Sequence, residues 1–173
     1  MIPLEPNVSE QSTQAATLVV QSHPAEASYN AALLERVVQG LVAGGAEASV
    51  HRLAQGETPS PKEVLASRRL VLVYPTWAAG LPAQLLEWVH GVLDDPQLLA
   101  NIVRIDVVTT HGSSRFVNWA QGPWGKRYIR DLIKAHCAPS ARLHWHPLYK
   151  VDRLEPAELS DHLTQIETKL AAR

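Results

Sequence analysis

The sequence predicts a three-layer α/β domain, a parallel sheet covered by helices on both faces. Three observations carry this reading. Short runs of β-forming and apolar residues recur at 16–22, 46–52, 69–74, 102–109 and 142–149. Segments with apolar residues at helical spacing lie between or after them, and the alternation of the two kinds holds to the end of the chain. Such alternation implies right-handed crossovers between parallel strands.

Residues 16–22 (ATLVVQS) read as a buried strand ended by the turn pair His23-Pro24. Ser28 stands at a helix N-cap position, and Leu33, Val37 and Leu41, with Leu34, Val38 and Val42 beside them, continue the helix until Gly44-Gly45 stops it. Residues 46–52 alternate weakly as a second strand, and Pro61 opens a short helix within 60–67. Residues 69–74 (RLVLVY) are the strongest strand signal. The next helix has Pro82 near its first turn and apolar positions at Leu81, Leu85, Trp88, Val89 and Val92, and Asp94-Asp95-Pro96 ends it. A fourth strand follows at 102–109. A helix at about 125–137 is expected to turn Ile129, Leu132, Ile133 and Cys137 to one side. In 142–149 (RLHWHPLY), Pro147 favours an edge position, and a last helix carries Leu159, Leu163, Ile166 and Leu170.

A chain of 173 residues, 46% of them apolar, suits one domain, expected over residues 16–173. Residues 1–15 have no basic start and no apolar run and are broken by Pro3 and Pro6, as in a mobile leader rather than a signal peptide. The 16 basic and 17 acidic residues nearly cancel, which gives no electrostatic reason for a nucleic-acid or anionic-membrane partner. A lone cysteine, Cys137, excludes an intrachain disulfide and points to a reducing, cytoplasmic setting. No apolar run approaches the ~20 residues that cross a bilayer.

In parallel α/β sheets ligands sit beyond the carboxyl ends of the strands, so the loops after strands one, three and four are where chemistry is expected. Loop one, His23-Pro24-Ala25-Glu26-Ala27-Ser28-Tyr29-Asn30, runs into a helix start whose free amides suit a phosphate; the plainer reading is an N-cap and a turn. Loop two, from Tyr74 to Pro82, sets Trp77 among small residues, either to wall a planar ligand or to pack on the following helix. Loop three, Thr109-Thr110-His111-Gly112-Ser113-Ser114, offers hydroxyls, amides and an imidazole, or an ordinary polar turn. His144 and His146 share a strand face without an evident third metal ligand. Lys126, Arg127 and Arg130 read as a solvated helix face, and Cys137 as a buried, inert thiol.

The pattern HPxxxSxN, then YPxWxxxxP with a Leu-rich helix, then TTHGSS resembles the flavodoxin-like NAD(P)H:quinone oxidoreductases, over about residues 17–152 and including the turn Gln121-Gly122-Pro123-Trp124-Gly125. The resemblance implies a flavodoxin-like three-layer sandwich with strand order 2-1-3-4-5, bound FMN or FAD, NADH or NADPH as reductant, a quinone or similar small acceptor, and a possible homodimer. It places His23, Ser28, Tyr29 and Asn30 at the flavin phosphate, and Pro75, Thr76, Trp77 and Ala78 along the ring system. It places Thr109, Thr110, Gly112 and Ser113 at the pyrimidine end, with His111 as the group that acts on the reaction. Asn118, also counted with the cofactor, and Trp124 stand where quinone-reducing relatives carry a tyrosine and a histidine. The connection at residues 94–101 is shorter than is usual in the family, where it helps enclose the flavin. A binding or regulatory protein, or a pocket reused for non-redox chemistry with His111 as acid or base, is the alternative.

Overall fold

The computed structural model describes residues 16–25, 27–76, 80–114 and 124–172. The expected leader at residues 1–15 lies outside them. The strands are β1 (Thr17–Gln21), β2 (Ala48–Arg52), β3 (Arg69–Thr76), β4 (Arg104–His111) and β5 (Arg142–Tyr149). They form one parallel sheet in the order β2-β1-β3-β4-β5, as expected. The helices are α1 (Tyr29–Ala43), α2 (Pro61–Ala66), α3 (Ala83–Leu93), α4 (Trp124–Tyr128) and α5 (Pro156–Ala171). Helices α1 and α5 cover one face of the sheet over Val19, Val71, Val73 and Val108. Helices α2, α3 and α4 cover the other over Leu18, Val20, Leu70, Leu72, Ile105 and Val107. Central strands buried on both faces explain why RLVLVY reads as a continuous apolar run rather than an alternating one.

Two prolines sit inside strands, each with a local reason. The Val73 carbonyl accepts from Ser22 N–H, so Val73 and, two residues on, Pro75 face β1 at a height where β1 has ended. Arg142 N–H donates to Val103, so Pro147, of opposite parity, turns its missing N–H to the free edge of β5. Proline is tolerated where no ladder bond is forfeited.

Helix α1 begins at Ser28, whose hydroxyl accepts from Ala31 N–H, and breaks at Gly44-Gly45, with Gly45 left-handed. Its glycines also set helix packing. A Cβ on Gly40 would collide with the Glu167 carbonyl, and one on Gly44 would lie 2.6 Å from the Ala171 carbonyl, so α1 and α5 approach backbone to backbone. The Arg36–Glu167 ion pair, 2.7 Å, flanks this seam.

Several boundaries differ from the sequence reading. Pairing to β3 and β5 carries β4 through to His111, so Thr109, Thr110 and His111 are buried strand residues rather than loop. Tyr74, Pro75 and Thr76 likewise belong to β3. The helix expected at 125–137 is α4 followed by a π segment (Ile129–Ile133) and a 3₁₀ turn (Lys134–His136). Ile129, Ile133 and Cys137 keep a spacing of four on the buried side, while Leu132 is left 37% exposed. Val42, too, is exposed at the end of α1. The connection 94–101 folds as a 3₁₀ turn (Pro96–Leu99) fastened to α2 by Asn101 Nδ2 donating to the Leu65 carbonyl. It lies at the amino end of the sheet, so its shortness takes no wall from the loops at the carboxyl end.

Candidate functional site

Both faces of the sheet are apolar along most of their length and turn polar at the carboxyl end. On the face under α3 and α4, the Thr76 and Thr109 hydroxyls meet at 3.0 Å, and the His111 ring stacks on Tyr149 with centroids 4.8 Å apart and planes 16° from parallel. On the face under α1, Gln21 Nε2 donates to the Asn30 carbonyl at 3.0 Å, and Asn30 Nδ2 donates to Thr110 Oγ1 at 3.2 Å. Three buried atoms at this end are left over: Ser22 Oγ, Asn30 Oδ1 and Tyr74 Oη find no hydrogen-bond partner among the described residues. A buried polar atom without a partner is costly, and three of them gathered at the carboxyl end make it the candidate site.

Loop one delivers the start of α1 to the same end. His23 Nδ1 lies 3.1 Å from both the amide and the carbonyl of Ala25, and Ser28 Oγ lies 3.2 Å from Nδ1 and donates to the Ala25 carbonyl. The amides of Tyr29 and Asn30 lie in the first helical turn, where no intrahelical acceptor exists, and that turn carries no acidic side chain. The macrodipole of a 15-residue helix adds to their pull on an anion. The side chain of Tyr29 points elsewhere. Its hydroxyl is 2.8 Å from His162 Nδ1 and donates to the Leu159 carbonyl at 3.1 Å, tying α1 to α5. Burial raises the Tyr29 hydroxyl to about 12. Burial likewise pushes the His162 imidazole down to about 4, helped by the charge of Lys169.

Loop three is braced by the turn after β5. Lys150, in the left-handed region at φ 57°, donates its amide to the Ser113 carbonyl, and a Cβ on Gly112 would stand 2.8 Å from Asp152 Oδ2. A side chain at 112 would therefore displace the Asp152 carboxylate from this turn. Beside these loops, Leu81, Leu86, Tyr128 and Leu132, with the charged Arg127 and Asp131, line a mostly apolar pocket of about 480 Å³ between α3 and α4. Tyr128 Oη is buried without a partner among the described residues, and burial raises its pKa.

The structure thus brings together His23, Ser28, Asn30, Thr76, Thr109, Thr110, His111, Gly112 and Ser113 at one end of the sheet; Pro75 is beside them in β3. Trp77, Ala78 and Asn118 lie outside the described residues. Ser22 and Tyr128 were missed in the sequence; a serine closing an apolar strand just before a helix-entry loop is the signal that would have found the first.

The other histidine pair has a different use. His146 Nε2 lies 3.0 Å from Asp106 Oδ1, and Arg69 and Arg104 each place Nε 2.8 Å from Asp106 Oδ2. No group of three or more metal-binding side chains occurs among the described residues. Arg130 pairs with Asp131 on an exposed face, and burial lifts the Cys137 thiol to about 12, as befits an inert core group.

A doubly wound parallel sheet in this order, with helices on both faces, defines the flavodoxin-like class of α/β protein. Residues 15–112 match the family model described as flavodoxin-like fold, and the chain belongs to that family. A crystal structure of Smu.1420 from Streptococcus mutans UA159 superposes with a TM-score of 0.80 at 17% identity, covering 91% of this chain and 100% of that one. The NAD(P)H:quinone oxidoreductase from Methanothermobacter marburgensis gives 0.75 at 15% identity, covering 90% and 94%. An FMN-dependent NADH-azoreductase from Bacillus anthracis, solved in complex with FMN, gives 0.72 at 11% identity, covering 91% and 98%. No curated protein matches at a significant level. At such identities these likenesses establish the fold. No helix among the described residues is long and apolar enough to cross a membrane.

Proposed function

We propose that the protein is a flavin-dependent oxidoreductase that uses FMN to carry electrons from NADH or NADPH to a quinone or a similar small apolar acceptor. The observation that carries this reading is the pairing of a helix-start anion site with unpartnered buried polar groups at the same end of the sheet: the first-turn amides of α1 with Ser28 and His23, and the buried Ser22 hydroxyl and Asn30 Oδ1. These donors, with Asn30 Oδ1 as an acceptor, fit a phosphate joined to a polar heterocycle.

In this reading the amides of Tyr29 and Asn30, with the Ser28 hydroxyl and the His23 ring, hold the phosphate. Asn30 and Tyr29 also act through their side chains as positioning residues, one locking α1 to β4 and the other to α5. Pro75 and Thr76, with Trp77 and Ala78, flank the ring system, and Thr109, Thr110, Gly112 and Ser113 meet its pyrimidine end. His111, held by its stack on Tyr149, supplies a donor there that favours negative charge. The flavin supplies the hydride and electron chemistry, and the protein supplies position and electrostatics. The apolar pocket between α3 and α4 takes the acceptor, with the Tyr128 hydroxyl as a donor to its oxygen. Family resemblance and the FMN and quinone named for the structural neighbours support this reading; a second protomer beside the same pocket is part of it.

The visible spectrum of purified protein tests it. Flavin bands, or their appearance after addition of FMN, with bleaching by NADH or NADPH and quinone reduction well above that of free FMN, are expected. A colourless protein that takes up no FMN overturns the reading.

A further inference from the structure

The pocket between α3 and α4 carries its charge on one side. The side formed by Gly80, Leu81 and Leu86 is uncharged, while the other brings Arg127 from α4 and Asp131 from the π segment that follows it. The two charges are not equally available. Arg130 holds Asp131 through both carboxylate oxygens, Nε to Oδ1 at 2.6 Å and Nη2 to Oδ2 at 3.2 Å. This hydrogen bonding, with the charges of Arg130 and Arg127, keeps the Asp131 carboxyl below the usual aspartate range. Arg127 is exposed and makes no hydrogen bond or ion pair among the described residues. Of the five charged side chains in residues 125–134, four are cationic, Lys126, Arg127, Arg130 and Lys134, in a chain whose formal net charge is −1. The pocket therefore joins an apolar lining to a guanidinium in positive surroundings, whose acidic neighbour is already neutralised.

We infer that Arg127 sets the charge class of the acceptor: the pocket takes a planar aromatic molecule whose ring bears one anionic oxygen substituent, a carboxylate or sulfonate, in preference to its uncharged counterpart. The ring lies against Leu81, Leu86, Tyr128 and Leu132, and the anionic oxygens accept from the guanidinium fork, whose parallel N–H donors suit such a group better than they suit a neutral carbonyl. A guanidinium with no partner to give up meets the anion without first breaking another bond. Arg130 has its donors committed to Asp131, and Lys126 does not line the pocket. As a statement about the acceptor this rests on the oxidoreductase reading; as a statement about the charge the pocket prefers, it stands on the lining alone.

The test is calorimetric titration of the protein with 2-naphthoate and 2-naphthamide, a redox-inert pair of one shape and different charge. The naphthoate is expected to bind about tenfold more tightly, the worth of one hydrogen bond to a charged group. Arg127→Gln is expected to bring the two within about twofold, Arg127→Lys to keep part of the preference, and Lys126→Gln, which removes a neighbouring cation outside the pocket, to leave it nearly whole. Equal affinities in the unaltered protein, or no binding of either compound at millimolar concentration, overturn the inference. So does a preference that survives Arg127→Gln, which would seat the carboxylate elsewhere, or one lost equally in Lys126→Gln. In FMN-loaded protein, the ratio of kcat/KM for 1,4-naphthoquinone-2-sulfonate to that for 1,4-naphthoquinone is expected to fall about tenfold in Arg127→Gln. Comparing that ratio between variants cancels the different reduction potentials of the two quinones, and an unchanged ratio overturns the acceptor assignment. A protein that takes up no FMN strikes the oxidoreductase reading while the naphthoate preference is still measured. A protein that takes up FMN and shows no naphthoate preference strikes the role of Arg127 alone.

Discussion

The two ends of the sheet solve the same problem in opposite ways. At the amino end a fully buried carboxylate, Asp106, is surrounded by Arg69, Arg104 and His146. The two guanidinium groups reach on to the last carbonyls of α5, Arg69 to Leu170 and Arg104 to Ala172. Burial alone would raise the Asp106 pKa, but hydrogen bonds from His146 and Arg104 and the charges of both arginines outweigh it and hold it far below the usual carboxylate range. At the carboxyl end the buried groups are hydroxyls, amides and an imidazole, and Ser22 Oγ, Asn30 Oδ1 and Tyr74 Oη have no partner among the described residues. Polarity turned inward at the amino end fixes the last helix and, among the same residues, leaves one atom over, Arg69 Nη2; polarity left unmatched at the other end leaves bonds for a ligand to complete. The ends differ in charge and in how many buried atoms go unsatisfied, not in whether any do.

The sharpest way to break this contrast is Asp106→Ala. Removing the anion strands two arginines, and a loss of about 3–5 kcal/mol is expected in urea unfolding at neutral pH, with FMN affinity of the molecules that remain folded unchanged. The sign with pH follows from the depressed folded value: the carboxylate's contribution is present above the ordinary aspartate pKa near ~4 and fades as pH falls from there toward the folded value. A cost under about 1 kcal/mol, the worth of an exposed pair, would erase the difference between the ends.

Next in size is Gly40→Ala, which drives a Cβ into the Glu167 carbonyl and is expected to cost about 1–3 kcal/mol by overpacking. Because the seam between α1 and α5 would have to open, FMN affinity should fall too, unlike in the Asp106 variant. A thermal melt and a flavin titration on the same sample separate the two effects. Smaller again is the contribution of His162. Its folded pKa of about 4 lies below the ordinary value, so the unfolded chain takes up a proton first, and stability is complete above pH ~6.5 and falls as pH drops toward 4. With the ring partly exposed, about 1–2 kcal/mol is expected after solvent screening, and His162→Gln should flatten stability over that window.

The smallest stability effects sharpen the contrast most. Ser28→Ala should cost about 1 kcal/mol as a lost N-cap. Ser22→Ala, which deletes an unpartnered hydroxyl, should cost almost nothing. If the carboxyl end is built for FMN, each should also raise the FMN dissociation constant by about tenfold, the worth of one hydrogen bond to a charged or strongly polar group. Unchanged FMN binding in Ser22→Ala would assign that hydroxyl no ligand.

The strands, both helical layers and the Ser28 cap were legible in the sequence because each is announced locally, by an apolar run, a spacing or a capping residue, whereas the strand order came from the family resemblance. The carboxyl-end loops were legible for the same reason, with their borders misplaced: nothing in TTHGSS alone says that pairing to Thr76 and Tyr149 carries the strand through His111. What stayed hidden is non-local. Asp106 looks like one charge in a buried run until three strands bring Arg69, Arg104 and His146 to it. Tyr29 looks like a phosphate ligand until His162, 133 residues on, takes its hydroxyl. The π segment hides because Ile129, Ile133 and Cys137 keep a helical spacing through it, and only the exposure of Leu132 reveals the changed phase.

The backbone seam between α1 and α5 also sets an order of events. Residues 23–30, which form the turn into α1, are made well over a hundred residues before the backbone that Gly40 and Gly44 pack against, at residues 167 and 171. During synthesis the first helix has no second wall to rest on until α5 has emerged. The turn is encoded long before it is positioned, so its final geometry waits on the folding of α5 against the seam.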